Sequence, residues 1–152
     1  MDCLRCGRSI AGIDDDTLRK EWEDIKIPVR ATSGSAGYDF YAPYAFDVSD
    51  SPVHIVTGIR CKIDPGWFLM CCPKSGLGFK HGMRLSNTIG IIDSDYYNSD
   101  NEGHIQAKFS SYHPMAIECG QKFMQGVFIP YGITSDDAAD GIRNGGLGST
   151  GA

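Results

Sequence analysis

Ile59-Arg60-Cys61-Lys62-Ile63-Asp64-Pro65-Gly66-Trp67-Phe68-Leu69-Met70-Cys71-Cys72 is the stretch on which the fold reading turns. Its first half alternates apolar and charged residues, the mark of a strand with one face in a core. Asp64-Pro65-Gly66 then supplies turn residues, and the second half is apolar on both faces. Together they predict a hairpin whose second strand is buried on both sides. The same signals recur outward. Tyr38-Asp39-Phe40-Tyr41-Ala42 reads as an upstream strand, Ile105, Ala107 and Phe109 alternate with Gln106 and Lys108, and the run from Phe123 to Tyr131 closes the regular part at Pro130. With 19 Gly and 7 Pro in 152 residues, short strands and tight turns suit the composition better than a helical bundle. The expected fold class is all-β, a sandwich or barrel of one domain, spanning 26–134.

Both ends read differently from this middle. In 1–25, acidic Asp14-Asp15-Asp16 precedes Leu18, Trp22 and Ile25 at helical spacing, which predicts one short amphipathic N-terminal helix. Cys3-x-x-Cys6 ahead of it is either part of a tail or half of a metal or redox pair, and no second such pair supplies the remaining ligands. The segment 135–152 is acidic and glycine-rich with only Ile142 and Leu147 as sizeable aliphatics, so it is a flexible tail or an arm that orders over a ligand.

A net charge of −5 without any Lys/Arg run excludes a nucleic-acid footprint. No apolar run approaches the ~20 residues that span a bilayer, and the first residues lack the apolar core of a signal peptide. A soluble, cytoplasmic protein is expected, with no membrane partner. Of the six cysteines, three sit inside apolar strand-like runs, and all are read as thiols.

Three stretches carry possible chemistry. Pro73-Lys74-Ser75-Gly76-Leu77-Gly78 offers amides, a hydroxyl and an ammonium at one turn, an anion nest without P-loop spacing. Asp93 and Asp95 share a face if Ile91-Ile92-Asp93-Ser94-Asp95 ends a strand; a calcium loop fails there, because Tyr97, Asn98 and His104 fall where two ligands and a glycine are needed. Arg143 stands ahead of Asn144-Gly145-Gly146-Leu147-Gly148-Ser149-Thr150-Gly151, a guanidinium followed by flexible amides and two hydroxyls suited to phosphate oxygens. On bland readings, Asp95 caps a turn, His81 and His104 lie on surface loops and Tyr38 is core.

In this order the stretches resemble the five motifs of the trimeric deoxyuridine triphosphatase (dUTPase) family, which hydrolyses dUTP to dUMP and pyrophosphate. Ala36-Gly37-Tyr38-Asp39 resembles the first and Pro73-Lys74-Ser75-Gly76-Leu77 the second. Asn87-Thr88-Ile89-Gly90-Ile91-Ile92-Asp93-Ser94-Asp95-Tyr96 resembles the third, Gly120-Gln121-Lys122-Phe123-Met124-Gln125 the fourth, and Gly145 to Gly151 the fifth. The resemblance covers 31–152. It implies a jelly-roll-like β fold and a homotrimer whose active sites are each built from all three subunits.

The resemblance also implies roles. Asp93 orients and activates the attacking water, a contribution of about 10²–10⁴-fold. Tyr96 packs under the deoxyribose and excludes a 2′-hydroxyl, while Asn87 and Gly90 belong to the segment that reads uracil. Lys74, Ser75, Gly76 and Gln125 bind phosphate, and Arg143 grips the γ-phosphate as the arm bearing Leu147, Gly148, Ser149 and Thr150 closes. Mg²⁺ is held mainly by the triphosphate, with Asp39 near it and held by Lys122. Four departures stand out: Lys74 in place of Arg, Gln121 in place of an acidic residue, Leu147 in place of a stacking aromatic, and the longer loop 97–103. Two alternatives remain: a dCTP deaminase of the same fold, and a nucleotide-binding signalling module with little turnover.

Overall fold

The computed structural model describes residues 16, 20 and 23–146. Ten strands run β1 (Val29–Arg30), β2 (Tyr38–Tyr41), β3 (Phe46–Val48), β4 (Val53–Arg60), β5 (Trp67–Pro73), β6 (Arg84–Leu85), β7 (Gly90–Ile92), β8 (His104–Ser110), β9 (Met115–Ile117) and β10 (Lys122–Pro130). All pairings are antiparallel. One sheet is ordered β1-β2-β10-β5-β7, a second β4-β8-β6, and β3 pairs with β9. This is the expected all-β, jelly-roll-like class.

The core lies between the two larger sheets. Alternation on β8 sends Ile105, Ala107 and Phe109 inward, while Gln106 and Lys108 face out as the period-two pattern requires. Phe123 on β10 meets Phe109 and Phe46 edge-on, each pair of rings with centroids 5.6 Å apart. A bulge between Lys122 and Met124 sets the register of β10 against β2.

The hairpin expected at 59–72 is corrected. Its turn exists: the Trp67 N–H bonds the Asp64 carbonyl at 3.2 Å and Gly66 has φ 85°, the type II arrangement that Pro-Gly favours. Yet β4 pairs with β8, while β5 pairs with β10 and β7, so the turn passes the chain from one sheet to the other. Alternation reports which face is buried, not which strand is the neighbour. The outer face of β5 is also only half-buried, with Leu69 and Cys71 alone turned fully inward.

Two short helices were not legible: Ser75–His81, which replaces the expected loop, and a 3₁₀ turn at Ser94–Asn98. Of the N-terminal helix, Asp16, Lys20 and Glu23 are helical; Leu18 and Trp22 lie outside the described residues, as do Cys3 and Cys6. His104 is no surface loop residue. It is 0% exposed on β8, where Nε2 accepts the Gly58 N–H at 2.9 Å. Tyr38 is half-buried against the Phe128 edge.

Candidate active site

The site residues fall into two patches. At one end of β5, Lys74 leads into the helix Ser75–His81, whose first turn presents the Ser75 and Gly76 N–H groups without intrahelical acceptors. Asp39, on β2 and 2% exposed, takes Lys74 Nζ on one carboxylate oxygen at 2.6 Å and Lys122 Nζ on the other at 2.8 Å. Burial pushes its carboxyl up, but hydrogen bonds from Lys122 and then Lys74 outweigh this and hold it below the usual carboxylate range. Gln125 pairs with Asp39 in register across β10 and β2, and Nε2 lies 3.6 Å from Cys72 Sγ.

At the other end, Asp93 follows β7 and opens the 3₁₀ turn. The two aspartates do not alternate along a strand, yet the tight turn still brings them together on one cation. Arg143 donates through Nη2 to Asp93 Oδ2 at 2.5 Å and through Nε to Asp95 Oδ1 at 2.7 Å. Partial burial of the guanidinium works against its charge, but the Asp95 and Asp93 contacts prevail and raise its pKa above the ordinary value. Among the described residues, the second Asp93 oxygen accepts no side-chain hydrogen bond, and the side chain is 49% exposed. Tyr96 lies beneath, buried, with its ring centroid 5.9 Å from Arg143 Cζ and its hydroxyl donating to the His104 carbonyl at 2.9 Å.

Between the patches a cavity of about 360 Å³ opens beside Asn87 and Gly90. Sequence reasoning missed two of its lining residues, His54 and Gln106, whose side chains bond at 2.8 Å. For Gln106 the outward phase of β8 was the available signal; for His54 there was none. Thr88, in the loop leading to Gly90, has φ 70°, a strained conformation for a β-branched residue of the kind that clusters at ligand clamps. Leu147, Gly148, Ser149 and Thr150 lie outside the described residues.

A family model described as dUTPase matches residues 23–151, a span containing all five motifs. The chain belongs to the dUTPase family. It is 37% identical over 134 residues to the deoxyuridine 5'-triphosphate nucleotidohydrolase of Lactococcus lactis, covering 84% of this chain and 89% of the relative. The protein of the same description from Hahella chejuensis is 38% identical over 137 residues, covering 84% and 88%. Among solved structures, the dUTPase of Streptococcus mutans aligns with a TM-score of 0.66 at 33% identity, covering 74% of this chain and 91% of that one. A mutant dUTPase from phage phi11 of S. aureus shares the fold at TM-score 0.64 and 18% identity, covering 78% and 92%, and that structure is described with a structural Mg(II) ion.

The donor set of this chain suits an ion carried in by substrate better than one caged by side chains. Both Asp39 oxygens are committed to lysines, and no group of three or more His, Cys, Asp or Glu among the described residues could hold a metal. Among those residues, no helix is long and apolar enough to cross a membrane.

Proposed function

We propose that this chain hydrolyses dUTP to dUMP and pyrophosphate by in-line attack of water on the α-phosphorus, at sites completed between chains of a homotrimer. The observation that carries the reading is the Asp93 carboxylate, placed beside the buried Tyr96 ring and under the arm's guanidinium. Asp93 orients the water through its uncommitted oxygen and receives the proton. Tyr96 forms the floor under the deoxyribose, where a 2′-hydroxyl finds no room. Asn87 and Gly90 read the uracil edge at the cavity. Ser75, Gly76 and Gln125 receive phosphate oxygens, with Lys74 adding a point charge.

Arg143 exchanges the two aspartates for the γ-phosphate, which frees Asp93 as the arm with Leu147, Gly148, Ser149 and Thr150 covers the site. Water exclusion then strengthens each remaining charge interaction. Mg²⁺ enters on the triphosphate and neutralises its oxygens, while Asp39 anchors Lys74 and Lys122 nearby. The described cysteines are free thiols, which suits a reducing cytoplasm.

The register supports this assembly. Ile92 pairs with Leu69 and Gly90 with Cys71, so Asp93 lies near the Phe68 level while Lys74 is six residues further along. At about 3.3 Å per residue the two patches are roughly 20 Å apart in one chain. A triphosphate cannot use both patches of one chain, whereas two chains can each contribute one end. Within the one chain Arg143 meets Asp93, and on the family resemblance the other two subunits supply the rest of each site.

Pyrophosphate release measured on dUTP, dCTP, dTTP and UTP with Mg²⁺ tests the reading. Turnover confined to dUTP is expected. Equal rates on all four, or none on dUTP, contradict it; ammonia from dCTP would identify a deaminase instead, and tight dUTP binding with negligible turnover a binding module.

A further inference from the structure

The loop 97–103 has no role in the reaction as described, yet one of its side chains touches both Tyr96 and the arm. Asn101 Nδ2 donates to the Tyr96 hydroxyl at 2.8 Å, so the phenol is held from both sides, accepting from Asn101 and donating to the His104 carbonyl. The amide orientation is fixed by its other end: Asn101 Oδ1 accepts the Gly103 N–H at 3.3 Å and lies 2.7 Å from Ser99 Oγ. Gly103 closes this loop at φ 72°, where a Cβ would come within 2.6 Å of Tyr97 Cα.

The arm rests on the same amide. A Cβ on Gly146 would stand 2.9 Å from Asn101 Nδ2 and 3.1 Å from its Cγ, so any larger residue there must displace this hydrogen-bonded amide. One residue earlier in the loop, the Asp100 N–H donates to the Asn144 carbonyl at 3.1 Å. Arg143 immediately precedes this contact and reaches Asp93 and Asp95.

We propose that Asn101 is a positioning residue: it locks the Tyr96 hydroxyl and seats the arm at Gly146, so that sugar discrimination and arm closure depend on one amide. The inference rests on Tyr96 serving as the deoxyribose floor. A Tyr96 ring freed from Asn101 can tilt and admit a 2′-hydroxyl, and an arm without its seat closes less often.

The test uses the full chain and steady-state kcat and KM for dUTP and UTP. In Asn101→Ala the ratio of kcat/KM for dUTP over UTP falls about tenfold, the scale of one lost buried hydrogen bond. Asn101→Asp keeps the acceptor for Ser99 and Gly103, and hence the loop, but removes the donor to Tyr96; it shows the same loss of discrimination. In a Tyr96→Phe background, Asn101→Ala lowers the ratio little further. Gly146→Ala raises KM for dUTP several-fold in the wild type and much less beside Asn101→Ala, where the facing amide is gone. An active wild type whose Asn101→Asp and Asn101→Ala variants keep its dUTP/UTP ratio overturns the inference alone. A wild type that leaves dUTP intact overturns the reading beneath it.

Discussion

Asp93 follows the end of β7 and Asp39 lies within β2, and the surroundings of the two carboxylates differ. Asp93 is half-exposed with an oxygen to spare, the condition for handling a water. On the role proposed for Asp93, Asp93→Asn keeps the shape and loses the base, so kcat falls by about 10²–10⁴-fold while dUTP binding persists. Calorimetry with a non-hydrolysable analogue checks the second half; loss of binding as well would mark Asp93 as structural. Asp39 is buried, with each carboxylate oxygen held by a lysine. Its pKa is lower in the native state than its ordinary 3.8, so the stability it adds is complete above that value and lost as pH falls through the native one. Because both lysines are partly exposed, Asp39→Asn costs about 1–3 kcal/mol at pH 7. Thermal unfolding at pH 7 and in steps below pH 4 checks this, and a gap between wild type and variant that stays constant with pH contradicts it.

At the scale of elements, strands were legible where burial on one face imposes a period of two, as Ile105 to Phe109 of β8 demonstrate. Their partners were not, since the Pro-Gly turn after Asp64 looks the same whether it closes a hairpin or changes sheets. The helix Ser75–His81 hid behind two glycines, which argue for a loop by propensity and are overridden by packing of Leu77 on the core. Asp93, Tyr96 and Arg143 could be picked out by residue type and order along the chain; the loop 97–103 could not, because its hydrogen bonds are visible only in three dimensions. Two elements give further tests. Burial pushes the Cys71 thiol on β5 up to about 12, so its thiolate fraction at pH 8 is on the order of 10⁻⁴. Iodoacetamide therefore modifies exposed Cys119 and spares Cys71 until unfolding, as peptide mass mapping will report. In the loop before β7, Thr88→Gly relieves the positive φ and raises stability by about 1 kcal/mol in urea unfolding.

For the whole molecule, the decisive feature is the span of β5. Lys74 and Ser75 stand at one end and Asp93 at the other, so on the proposed reading a single chain carries two separated half-sites. The half-exposed outer face of β5 fits the same picture, being a surface on which another chain can pack. In the proposed homotrimer, closed symmetry completes every half-site with its complement. Mixed chains test this most directly. Asp93→Asn removes the base, and Ser75→Glu places a charge against the phosphates at a helix start that tolerates acidic residues. Each variant alone turns over at least about 100-fold more slowly than wild type. Unfolded, mixed in equal amounts and refolded together, they recover dUTP hydrolysis to about a quarter of wild type, the share of sites that random assembly gives both intact halves. No activity above that of the separate variants would contradict a site shared between chains.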